Sequence, residues 1–320
     1  MEKLNVSCSP HIHAEDSISS IMLDVLIALI PATICGIYFF GFRAALVILT
    51  AITSCILSEF AYEKLMKKKV TVKDFSAVVT GLLLGLNLPP SIPLWMVVIG
   101  SAFAIIIVKQ LFGGLGKNFM NPALAARCFM LIAWAEAMTT FVNPNAAADA
   151  ISSATPLAIL KGVGEGSLPT LLQSFLGHTS GCIGETSGAM ILLGLIYLLV
   201  RKVISIRIPL TYILSFGILM FLFGKNSTAE NQFIFTLMHI TNGGLLLGAV
   251  FMATDYVTTP TTALGQIIFA LGCGILTFVI RRFGGYPEGC SFAILLMNLV
   301  TPLIDDMIIP HKFGEVKKHA

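Results

Sequence analysis

Between residues 149 and 157 the chain reads Asp-Ala-Ile-Ser-Ser-Ala-Thr-Pro-Leu. This places a carboxylate at Asp149, hydroxyls at Ser152, Ser153 and Thr155, a small side chain at Ala154 and an apolar one at Leu157. A hydroxyl is the one group on Thr that can take a phosphoryl group. Ser, Thr, Ala and Pro are also ordinary turn residues, so spacing alone favours the plainer reading of an exposed polar loop. A second stretch, Lys117-Asn118-Phe119-Met120-Asn121-Pro122, follows a glycine-rich run. It is not a phosphate-binding P-loop, because the spacing and the final Ser or Thr are missing. Asn118 and Asn121 suit the cap of a helix that begins near Pro122.

Six carboxylates lie in or beside apolar runs: Asp24, Glu59, Glu136, Asp255, Asp305 and Asp306. A charge at the centre of a membrane helix costs about 2.5 to 3.5 kcal/mol on insertion scales, so such residues are often functional. Asp24, one turn into the first run, and Asp255, after a short glycine-rich segment, are the candidates for an ion pathway. The other four read as span ends among lipid headgroups. His11 and His13 precede the first run and read as surface or subunit contacts. The seven cysteines form no CxxC pair, so spacing gives neither a zinc site nor an iron-sulfur cluster.

The elements that must position these groups are membrane helices. Of the 320 residues, 56% are hydrophobic and 12% charged, against roughly a quarter charged in a soluble domain. Ten apolar runs are spaced along the chain, at 21–40, 42–61, 76–88, 93–108, 123–138, 188–200, 208–223, 243–253, 263–280 and 291–304. The first is too deep in the chain, and lacks the basic lead-in, for a signal peptide. The runs 76–88 and 243–253 are short and glycine-rich, which predicts broken or half-spanning helices.

Gly-Leu-Leu-Leu-Gly at 81–85 returns at 244–248, Phe-Gly-Gly at 112–114 returns at 283–285, and Pro89 returns as Pro260. One insertion reconciles the shifts of 163 and 171. The fold class expected is therefore an all-α membrane protein with about ten transmembrane segments in two inverted five-span repeats. The first repeat, with its N-terminal tail, covers 1–138. A connecting loop covers 139–186, the second repeat 187–309, and a tail 310–320. With the termini placed in the cytoplasm, fifteen Lys and Arg fall inside and five outside, as the positive-inside rule requires. The 139–186 loop is then extracytoplasmic.

The 149–157 stretch resembles the flavin-attachment motif of redox-driven ion pumps, in which a Thr hydroxyl is esterified to the phosphate of FMN. Leu88-Pro89-Pro90-Ser91-Ile92-Pro93-Leu94-Trp95 and the run from Phe112 to Ala125 resemble the same proteins. By length, span count and order of features, the chain is identified as a member of the RnfD family, membrane components of the Rnf ion-translocating ferredoxin:NAD oxidoreductases and relatives of the NqrB component of the sodium-pumping NADH:quinone reductase. Ser153 stands where many members have Gly.

The resemblance implies covalent FMN on Thr155, with Asp149, Ser152, Ser153, Ala154 and Leu157 as its motif. It also implies non-covalent riboflavin near Lys117, Asn118 and Asn121. The partners expected are the bilayer and the other subunits of the complex, especially its other FMN-bearing subunit, in a prokaryotic plasma membrane. No dinucleotide fingerprint follows a strand, so NAD binding is not expected here, and neither is nucleic-acid binding. The competing class is a transporter or channel without a redox cofactor; a pure scaffold ranks third.

Overall fold

The computed structural model describes residues 17–142, 154–164, 166–225, 229, 231–285 and 288–309. Asp149, Ser152, Ser153, His11, His13 and the 310–320 tail lie outside the described residues. Among those described, helix is the only extended regular structure.

Helix α1, Ile18–Leu65, starts at a capping box on Ser17 and is broken at Gly41, whose φ of 69° lies in the left-handed region that glycine adopts without a Cβ clash. Its limbs, 18–40 and 42–65, match the first two runs. α2 (Ser76–Leu86) is short and almost wholly buried. α3 (Leu94–Ala102) continues through π-type turns at Phe103–Gln110. α4 (Pro122–Ala133) is capped by Asn121 and ends at Trp134, after which α5 (Ala135–Thr139) begins. The connection carries α6 (Pro156–Leu160) and α7 (Leu171–Leu176).

Then come α8 (Gly188–Val200), α9 (Arg207–Phe223), α10 (Gln232–Thr241), α11 (Leu245–Leu247, continued by π-type turns at Gly248–Met252), α12 (Ala263–Phe283) and α13 (Cys290–Met307). α10 is absent from the sequence reading, because Gln232, Thr236, His239 and Thr241 interrupt its apolar run. With α11 it forms one segment bent by 59°.

Among the described residues, three helices, α1, α12 and α13, are long and apolar enough to cross a membrane, and the bent α10–α11 pair makes up to four. The remaining apolar helices are 10–17 residues long. Large apolar side chains face outward, Tyr38 at 80% and Ile34 at 63% exposure among them, as suits a chain whose solvent is lipid. α2 and α11 form the interior instead. Asn87 Nδ2, at the end of α2, lies 3.6 Å from Met252 Sδ, at the end of the α11 segment.

The molecule has two distinct ends. At one, Ser19 Oγ donates to Lys73 O, Lys68 Nζ to Gln110 O, and Arg201 pairs with Asp24. At the other, Ile183 N donates to Leu88 O, and Gly177 packs against Phe39.

Candidate functional site

Thr155 sits at the second end. It is the N-cap of α6, its Oγ1 accepting from Ala158 N at 3.2 Å, and Pro156 supplies the fixed φ suited to the first helical turn. This cap uses Oγ1 as an acceptor, so the hydroxyl hydrogen is not needed for it. Thr155 is 8% exposed and lines two cavities. The larger, of about 350 Å³, lies against α4, α5, α6 and the start of α13, and is walled by Leu131, Met138, Phe141 and Phe292 with Arg127, Thr139 and Ser291 as polar points. Apolar walls with a few polar groups and this volume suit a bound cofactor. Ala154 lines the same cavity, whereas Leu157 lines the smaller one and packs on Gly243.

A charge cluster separates the two cavities. Arg127, in the interior of α4 and 5% exposed, donates to Ser291 Oγ (2.6 Å), Glu185 Oε1 (3.4 Å), Cys182 Sγ (3.5 Å) and Glu288 Oε2. Glu288 lines both cavities. Burial, reinforced by the Glu288 carboxylate, pushes the Glu185 carboxyl up to about 7. Glu185 also packs on Gly244, whose φ of 67° needs glycine and where a Cβ would lie 2.6 Å from Glu185 Oε1. Arg281 holds the adjoining break: its guanidinium donates to the carbonyls of His239, Asn242 and Gly243 and lies over the Phe216 ring. Lys161, beside it, donates to Gly284 O, and burial lowers its pKa, with Arg281 adding to the effect.

The other end holds a cavity of about 80 Å³ lined by Asn118, Asn121, Lys109, Ser76, Thr254 and Asp255 together with apolar residues of both halves. Asn121 accepts from Ala123 N and Leu124 N, which is the cap expected of it, and its Nδ2 reaches Met252 O at 3.4 Å. Asn118 Nδ2 donates to Met120 O. Asp255 accepts from Val257 N and Thr258 Oγ1. Lys117 is exposed and is absent from the lining. Asp24 is held by Tyr197 (2.8 Å) and Arg201 (3.1 Å). Of the two ion-pathway candidates, Asp255 lines the cavity and Asp24 ties the first helix to α8.

Glu59 is not at a headgroup, as the sequence suggests, but fully buried. Its Oε1 accepts from Lys109 Nζ (2.5 Å) and Gln110 Nε2 (2.8 Å), and Lys109 also donates to Ser76 Oγ (2.6 Å). Glu136 and Asp306 are exposed and Asp305 half-buried, in keeping with span ends. Lys109, Arg127 and Arg281, counted as topology-setting cations, are buried and bonded; without them the balance of charge falls on the same side. Sequence reasoning missed Arg127, Glu185 and Glu288. Arg127 carries the signal that could have revealed it, a charge alone in an apolar run.

The profile of the NQR2, RnfD, RnfE family matches residues 5–314. The chain belongs to this family. It is 48% identical to the D subunit of the Na⁺-translocating ferredoxin:NAD⁺ oxidoreductase complex of Acetobacterium woodii, across 99% of this chain and 98% of that one. To the D subunit of the proton-translocating ferredoxin:NAD⁺ oxidoreductase complex of Clostridium ljungdahlii it is 46% identical, across 97% and 96%. To its counterpart in the ion-translocating oxidoreductase complex of Stutzerimonas stutzeri it is 41% identical, across 93% and 92%. Two family members of nearly equal similarity are thus named for different ions.

Proposed function

We propose that this chain is the electron-carrying, flavin-bearing membrane subunit of a complex that couples electron transfer between ferredoxin and NAD to movement of Na⁺ or H⁺. The observation that carries this reading is Thr155: it lines the larger, mostly apolar cavity, in a chain whose family members are named as subunits of such complexes. FMN would be joined through its phosphate to Thr155 Oγ1, and riboflavin would occupy the cavity of Asn118 and Asn121. A flavin supplies one- and two-electron chemistry; the protein positions it and tunes its potential. Arg127, Glu288, Ser291 and Thr139 are among the polar groups available in the first cavity, and the Asn121 and Asn118 amides are among those in the second. α4 touches both cavities, since Asn121 and Arg127 are six residues, or about 9 Å of helix rise, apart.

The same reading makes the ten helical segments two inverted five-segment halves with both ends of the described chain in the cytoplasm. Support comes from α8 to α13 following the order of the first half, and from two buried short segments whose ends meet at Asn87 and Met252. The partners are the bilayer, the other subunits and, for electron exchange, the other FMN-bearing subunit.

In-gel fluorescence of the denatured subunit tests the assignment, because only covalent flavin survives denaturation. Thr155→Val should abolish the fluorescent band and ferredoxin-dependent NAD reduction by the complex, while Thr155→Ser retains both. A fluorescent Val variant, or FMN mass on a peptide modified at Ser152 or Ser153, would refute Thr155 as the acceptor. A transporter without a redox cofactor would purify colourless.

A further inference from the structure

This inference rests on the reading of Thr155 as the flavin anchor. In the wall of the larger cavity that Thr155 also lines, α4 contributes Arg127, and the turn at Gly289 before α13 contributes Glu288. The two form an ion pair in which Arg127 is 6% and Glu288 17% exposed, while Glu185, also 6% exposed, takes the same guanidinium nitrogen from the other side at 3.4 Å. A guanidinium stays protonated in proteins, so the positive charge is permanent and only the two carboxylates modulate it. Charge–charge energies scale inversely with the local dielectric, so a cation this deep acts on its surroundings far more strongly than one in water.

Reduction adds electrons, supplied by the complex's donor, to whatever flavin fills the cavity. A fixed cation in the wall favours that change and a fixed anion opposes it.

We propose that the Arg127–Glu288 pair sets the reduction potential of the flavin held at Thr155, with Arg127 raising it and Glu288 holding it down by neutralising Arg127. No bond to either residue forms or breaks; both act as positioning groups. Ser291 Oγ, at 2.6 Å from Arg127 NH1, and Glu185 keep the guanidinium in place when Glu288 is altered.

The test is a redox titration of the intact, detergent-purified complex, with the signal of this flavin isolated as the difference from the Thr155→Val complex. Glu288→Gln should raise the midpoint potential by the equivalent of about a tenfold change in the one-electron equilibrium, ~59 mV. Arg127→Met should lower it by a similar factor, and Arg127→Lys should restore most of the loss. Asp306→Asn, at an exposed carboxylate of the opposite end, should leave it unmoved. Where Arg127→Met does not assemble, Glu288→Gln decides alone, because it leaves Arg127 bonded to Glu185 and Ser291. A fluorescent Glu288→Gln subunit whose potential is unchanged or lowered overturns the proposal and leaves the Thr155 reading intact. A wild-type subunit without covalent flavin overturns both.

Discussion

At the scale of single residues, type and spacing disclosed the groups whose chemistry is local, and failed for those whose partners are remote. Asn121 was legible as a cap because its acceptor role is played out over the next three residues. Thr155 was singled out by resemblance, because its spacing alone reads as a loop; the short helix it caps was not anticipated. Arg127 was not legible, because its partners Glu185 and Glu288 lie 58 and 161 residues away. Glu59 was misplaced because Lys109, 50 residues on, makes its burial tolerable. Removing one member of such a pair typically costs about 3–5 kcal/mol, since the other is left buried and uncompensated.

Glu185 carries a residue-scale prediction. Its ordinary value of 4.5 is raised to about 7, so the carboxyl is protonated on the acid side of neutrality and ionised on the alkaline side. The groups facing it are Glu288, Arg127, Cys182 and Arg281. Infrared difference spectra of the complex between pH 6 and pH 8 should show a protonated-carboxyl band lost as pH rises, and absent in Glu185→Gln. A band that persists unchanged in that variant would place the titration elsewhere.

At the scale of elements, hydropathy found the runs that are uniformly apolar and lost the one broken by polar residues. α10 went unseen because its His and Thr side chains depress the average, yet its backbone is helical and its end is secured by Arg281 on three carbonyls. The sequence marked the break itself through Gly243-Gly244, and the structure gives the second glycine two jobs. It turns the chain at positive φ, and it leaves room for Glu185. Gly244→Ala should therefore cost about 1–2 kcal/mol for the left-handed backbone alone, before the Glu185 clash is counted. Thermal unfolding of the detergent-purified subunit checks this, with Gly285→Ala as the control, because a Cβ there meets nothing within 4 Å. Equal melting temperatures for the two variants would show that Gly244 has no such role.

At the scale of the molecule, the repeated strings lead to the expectation of a five-plus-five order of spans, whereas among the described residues three helices, or four with the bent pair, are long and apolar enough to span alone. What the sequence could not convey is which end each polar group joins, because that depends on contacts between halves. Tyr197 and Arg201 on Asp24 bring the start of α1 to the end of α8. Asp305 on Thr261 and Thr301 on Thr258 bring the end of α13 to the same loops that meet Ser205 through Gln266. The exposed lysines near residue 67 and the Asn118 cavity belong to that end, and Thr155 to the opposite one. On the proposed reading, the positive-inside rule puts the lysine end in the cytoplasm and Thr155 outside. Single cysteines at two exposed positions decide it, in a background where the native cysteines are replaced. Lys67→Cys should react with a membrane-impermeant maleimide only in inverted vesicles, and Val163→Cys, eight residues beyond Thr155, only in intact cells. The reverse pattern would invert the topology, and labelling of both from one side would break the two-ended arrangement on which the separation of the cavities depends.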